Sequence, residues 1–131
     1  MLKLPSLHEI DGANAPRILL YLPPADMRQG FDRLAELARS RLGEDPLCGT
    51  LFLFRSRCGD RLKILYWDRD GYALWYKRLE AGTFRFPKAS ADAGEKVVLR
   101  ASELAMLLEG IDLRSIRRLP RYHREAAKLS T

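Results

Sequence analysis

Arg55, Arg61, Lys63 and Arg78 stand where strand pairing could gather them, and Arg57 and Arg85 lie in the same stretch. Trp67 and Tyr76 are interleaved with them. Basic side chains alternating with aromatic rings can hold phosphates and stack on bases. Residues 55–88 carry nine basic and four acidic residues, and residues 111–131 carry six and two. These two segments hold the surplus behind the net charge of +6, which permits a polyanionic partner without demanding one.

Other chemistries lack their residues. Gly49, Gly59 and Gly71 are isolated, so no glycine-rich phosphate loop is present. Cys48 and Cys58 are ten apart, and His8 and His123 are remote from both, which is not a zinc spacing. The two cysteines read as reduced thiols of a cytoplasmic protein. No elbow motif anchors a nucleophile. Asp68 and Asp70 flank a turn, where aspartate is expected for conformational reasons. The pattern predicts no enzyme, no cofactor and no metal site. Apolar runs are too short for a membrane span, and the first ten residues lack a signal peptide's apolar stretch.

The elements that must position the basic residues follow from periodicity. Arg17 to Leu22 reads as a strand closed by Pro23-Pro24. Asp26 offers a helix N-cap with Gln29 completing a capping box, and Phe31, Leu34, Ala35, Ala38 and Leu42 form one apolar stripe of a helix near 27–42. Gly43 is its expected stop. Leu51 to Arg55, Arg61 to Asp68 and Tyr72 to Glu80 read as strands, with Asp70-Gly71 as a hairpin turn. Thr83 to Phe86 could extend the sheet, and Val97 to Arg100 is a short strand after a linker. Ser102 caps a second helix that ends before Gly110. With 131 residues, 47% of them hydrophobic, the chain can bury one core. The expected class is α+β: an antiparallel β-meander of four to five strands with two packed helices, about 27–42 and 102–109. The expected organisation is a loose arm over 1–16, one domain over 17–113 and a basic tail over 114–131.

Register decides where the cations go. A turn at Asp70-Gly71 would set Tyr66 against Trp75, Ile64 against Lys77 and Lys63 against Arg78. A loop over 56–60 would set Arg55 against Arg61, Phe54 against Leu62 and Phe52 against Ile64. Phe52, Phe54, Leu62, Ile64, Tyr66, Trp75 and Leu79 would then form a core face under the first helix. Arg55, Arg61, Lys63 and Arg78 would share the other face with Leu51, Leu53, Leu65, Leu74, Trp67 and Tyr76. Like charges directly opposed are destabilising by up to about 1 kcal/mol per pair. Two readings stay open: a bound anion offsets the repulsion, or Asp60, Glu80 or the neighbouring layer neutralises it and the rings are core. Leu104, Met106, Leu107 and Leu108 crowd the second helix on all sides, which points either to a protein partner or to burial within the monomer.

Several stretches carry a family likeness: Pro24 to Asp32 (PADMRQGFD), Leu51 to Arg55 (LFLFR), Gly59 to Asp68 (GDRLKILYWD), Leu74 to Glu80 (LWYKRLE) and Leu104 to Asp112 (LAMLLEGID). In this order, over about 15–113, the chain resembles the small accessory protein, TnpB or second open reading frame, of bacterial insertion-sequence family sixty-six. Ala25 stands where that family commonly has Thr, and Arg33 where it often has Gly. The resemblance implies support of transposition beside a separate acidic-triad transposase, with no catalytic residues to carry over. The combined expectation is a non-catalytic accessory factor that binds double-stranded DNA and the transposase of its element, with a homo-oligomer possible. The nucleic-acid contacts would be Arg55, Arg57, Arg61, Lys63, Trp67, Tyr76, Arg78 and Arg85. The alternative is a protein–protein adaptor without direct DNA contact, using Leu104, Met106, Leu107 and Leu108.

Overall fold

The computed structural model describes residues 16–87 and 94–110. Most of the expected N-terminal arm, the middle of the 87–96 linker and the basic tail lie outside the described residues. The described chain runs β1 (Ile18–Tyr21), α1 (Phe31–Ser40), β2 (Leu51–Arg55), β3 (Arg61–Asp68), β4 (Gly71–Arg78), β5 (Lys96–Leu99) and α2 (Ala101–Glu109). The strands form one sheet in the order β4-β3-β2-β1-β5.

The α+β class holds, but the sheet is mixed and not an antiparallel meander. β1 runs parallel to β2, while the other three pairings are antiparallel. The reason lies in residues 22–50, which contain α1. A helix between two strands returns the chain to its starting end, and this connection favours a parallel pair. Both β1 (ILLY) and the first four residues of β2 (LFLF) are fully buried. Continuous apolar runs of this kind mark strands covered on both faces. The Thr83–Phe86 stretch adds no strand; Phe84 is buried and belongs to the core.

Two cores result. α1 covers one face, where Leu34, Ala35, Ala38 and Leu42 meet Leu19, Tyr21, Phe52, Phe54 and Leu65. α2 and Phe84 cover the other, where Leu104 and Leu107 meet Ile18, Leu20, Leu51, Leu53, Leu62, Ile64 and Tyr66. α1 starts at Phe31, where its apolar stripe begins and four residues later than an N-cap at Asp26 predicts. Asp26 turns the chain before the helix: its Oδ1 accepts from Arg28 N at 2.9 Å, and its carbonyl accepts from Gln29 N at 3.0 Å. Gly30 is the N-cap, without a side-chain bond. α2 ends as expected at Gly110, which is left-handed at φ 84°.

The β2–β3 register differs from the expected one by a single residue. Ser56 is the last paired position of the turn and not its first loop residue: Ser56 N donates to Arg61 O at 3.0 Å, and Arg61 N donates to Ser56 Oγ at 3.0 Å. Ser56 Oγ bonds Asp60 Oδ1 at 3.1 Å, and Gly59 N donates to Ser56 O at 3.1 Å. Phe54 therefore faces Lys63, Phe52 faces Leu65, and Arg55 faces Leu62. A one-residue slip turns a whole strand over relative to its neighbour. Phe52 and Phe54 thus join the side of Lys63 and Arg61, and Arg55 moves to the opposite side.

The β3–β4 hairpin differs by two places, which leaves each side chain on its expected face. Asp68 pairs Gly71, so Arg69 and Asp70 form the turn. Arg69 carries the positive φ, 57°, that the Asp70-Gly71 reading gave to those two residues. Arg61 now faces Arg78, Lys63 faces Tyr76, and Ile64 faces Trp75.

Ser56 is only 5% exposed, so Ser56→Ala leaves the Arg61 amide without its oxygen in a confined turn. The variant is expected to lose about 1–3 kcal/mol of stability in urea denaturation.

Candidate nucleic-acid interface

One end of the sheet collects arginine. β2 ends at Arg55, β3 begins at Arg61 and β4 ends at Arg78. The β2–β3 turn adds Arg57. The chain beyond β4 folds back onto that turn, because Leu79 N donates to Asp60 O and Phe84 N to Gly59 O, each at 2.8 Å. Gly59 makes this possible. It is left-handed at φ 79°, a backbone conformation that L side chains rarely adopt. The fold-back brings Arg85 to the same end, where Arg55, Arg57 and Arg85 line a hollow of about 240 Å³ with Phe84 and Phe86.

A larger cleft of about 610 Å³ lies on the other side of the turn. It is lined by Pro24, Ala25, Asp26, Met27 and Arg28 from the loop before α1, and by Ser56, Arg57, Cys58, Asp60 and Arg61 from the turn. Arg28 belongs here although its charge alone did not single it out; its signal was its place within PADMRQGFD. Its guanidinium grips Asp26 at 2.8 Å and is 91% exposed. Hydrogen bonds from the Arg28 side chain and then from its backbone amide lower the Asp26 carboxyl from 3.8 to about 2.

The expected gathering of Arg55, Arg61, Lys63 and Arg78 on one face does not occur as read. Arg55 lies on the α2 side, donates to Leu22 O and sits 5.8 Å from the Phe86 ring centroid. Lys63 is on the α1 side but only 6% exposed. Its ammonium donates to Met27 O and Gln29 O, both at 2.7 Å, and lies 4.7 Å from the Tyr76 ring centroid. It ties the loop before α1 to the sheet and does not face solvent. Trp67 is remote, six residues up the strand from Arg61 or about 20 Å, and packs edge-on to Tyr72 at 5.2 Å.

Arg61 and Arg78 do stand opposite one another on the α1 side. Arg61 Nε is 3.8 Å from Asp60, and Arg78 Nε is 3.3 Å from Glu80. The Tyr76 hydroxyl first, and then Asp60, raise Arg61 above its ordinary value. This pair, which stands in place of the expected Arg55–Arg61 and Lys63–Arg78 pairs, is thus partly neutralised. Exposed pairs of this kind contribute little and separate easily. Arg57 and Arg85 are exposed and have no carboxylate partner among the described residues.

The hydrophobic partner residues also need correction. Leu104 and Leu107 are 0% exposed and fill the second core; Met106 and Leu108 are half-buried. Leu104 and Leu107 form the stripe of α2 that faces the sheet. Among the described residues no three His, Cys, Asp or Glu side chains group as metal ligands. No helix among them is long and apolar enough to cross a membrane.

The family model of the IS66 Orf2 like protein matches residues 16–118 of the chain. The chain belongs to the IS66 Orf2-like family. It is also similar to the uncharacterized protein y4jC of Sinorhizobium fredii (strain NBRC 101917 / NGR234), with 38% identity over 104 residues, 79% of this chain and 86% of the relative. The uncharacterized protein y4hO of the same strain is 39% identical over 98 residues, 75% of this chain and 83% of that relative. No solved structure matches the chain. Membership implies an accessory role associated with transposition, and the family is not a known enzyme class.

Two outcomes test this geometry. Lys63→Met deprives two loop carbonyls of a charged donor and should cost about 2–3 kcal/mol, read as a lower urea midpoint. Asp26 has a folded pKa below its unfolded value. Its contribution is therefore complete above about pH 4 and is lost as pH falls through about 2. A carboxyl-carbon NMR titration should place its midpoint near 2, and a midpoint near 3.8 would show the Arg28 contact to be absent in solution.

Proposed function

We propose that this protein is a non-catalytic accessory factor of transposition that binds DNA through the arginine end of its sheet and thereby assists assembly of the element's transposase on element ends. The observation that supports this reading is the surplus there. Arg28, Arg61 and Arg78 have carboxylate partners, whereas Arg57 on the turn and Arg85 on the folded-back segment are exposed and have none among the described residues. They are anchored on backbone that Ser56, Gly59 and Phe84 hold in place. Exposed guanidiniums on a held backbone, with little local counter-charge, favour an extended polyanion over a small neutral ligand.

A phosphate grip has a thermodynamic signature. Binding to a 20-base-pair duplex should weaken linearly in log–log form with salt, because each neutralised phosphate releases counterions. Arg57→Ala and Arg85→Ala should each reduce the slope by about one and weaken binding to unrelated sequences equally. Retention of the transposase by a protein that binds no DNA even at low salt would instead favour the adaptor reading.

A further inference from the structure

Tyr76 is 47% exposed, one of the two aromatic rings among the large exposed hydrophobic residues. It sits on β4 with its neighbours set by register: Lys63 directly across, Arg78 two residues along on the same face, and Arg61 across from Arg78. Buried Lys63 places its ammonium 4.7 Å from the ring centroid, so one ring face rests on the protein and the exposure falls on the other. The second exposed ring, Phe31 at 45%, opens α1 two residues after Gln29, whose carbonyl takes the same ammonium. Trp67, by contrast, is engaged with Tyr72 and far from the arginines.

From this we infer that the interface seats an unpaired nucleotide, with its base stacked on the free face of Tyr76 and its flanking phosphates on Arg61 and Arg78. The inference rests on the DNA-binding reading above and adds which form of DNA is preferred. In a duplex the base faces are already stacked on one another, so an exposed ring gains nothing there without unstacking them. An unpaired base presents its face freely, and aromatic stacking is tolerant of sequence. The ring is oriented in advance by Lys63 and by the Arg61 guanidinium beside its hydroxyl, so little freedom is lost on stacking. Glu80 and Asp60 hold Arg78 and Arg61 only through partly exposed pairs, which a phosphate can displace.

The test compares the full chain on a twenty-nucleotide oligo-dT and on a 20-base-pair duplex in the same buffer. The oligo-dT should bind more tightly. Tyr76→Ala should weaken oligo-dT binding by about 5- to 100-fold, a larger loss than it causes in duplex binding, and Tyr76→Phe should keep most of the affinity. Because Tyr76→Ala also uncovers Lys63, photo-cross-linking of a 5-iodouracil oligonucleotide to the unaltered protein serves as a check that needs no variant; it should label Tyr76. Equal affinity for both DNAs, or a Tyr76→Ala protein that binds oligo-dT like the parent, overturns the seat but leaves the phosphate grip standing. Absence of binding to either DNA overturns both.

Discussion

The arrangement depends on how Ser56 closes the β2–β3 turn. Its amide and hydroxyl both engage Arg61, and its hydroxyl also meets Asp60. That fixes four residues in the loop and sets Phe54 against Lys63. With one residue more in the loop, β2 would turn over. Phe52 and Phe54 would then point at α2, and Leu51 and Leu53 at α1. Both faces of β2 are apolar, so hydrophobic burial alone separates these registers weakly. The hydrogen bonds of one serine make the choice.

That choice makes Lys63 the cross-strand partner of Phe54. Its side chain emerges on the α1 side beside Phe54, where a cation needs acceptors. The loop Met27–Gln29 supplies two carbonyls, and Tyr76 supplies a ring. A residue that reads as a surface contact in sequence thus becomes a buried tie between sheet and helix entrance. Burying an ammonium is unfavourable unless hydrogen bonds replace its water, which these groups do. The tie steadies the loop carrying Asp26 and Arg28, and it leaves Tyr76 with a supported inner face. The arginines around it remain near water because each projects from a strand end or a turn.

Much of this was legible in the residues. The apolar stripe through Leu34, Ala35, Ala38 and Leu42 announced α1, and Gly110 announced the end of α2. Of the arginines from Arg55 to Arg85, all but Arg69 in the β3–β4 turn lie at one end of the sheet. What the pattern could not supply was register. ILLY and LFLF are apolar at every position, so alternation carries no information about which side chain faces which layer. The same uniformity hid the parallel pairing of β1 with β2, although the helix between them was already its signal. The crowded leucines of α2 were ambiguous too: Leu104 and Leu107, buried in the second core, look in sequence like residues awaiting a partner.

The β2–β3 register can be read directly in solution by nuclear Overhauser effects between α-protons. Ser56 and Arg61 form a hydrogen-bonded pair, so Leu53 and Ile64 fall at a non-hydrogen-bonded position, where α-carbons approach to about 4.5 Å. A strong α-proton contact between Leu53 and Ile64, repeated between Arg55 and Leu62, is the predicted result. Contacts of Phe54 with Leu62 and of Phe52 with Ile64 would contradict it, returning Arg55 to the side of Arg61 and turning Phe52 and Phe54 toward α2.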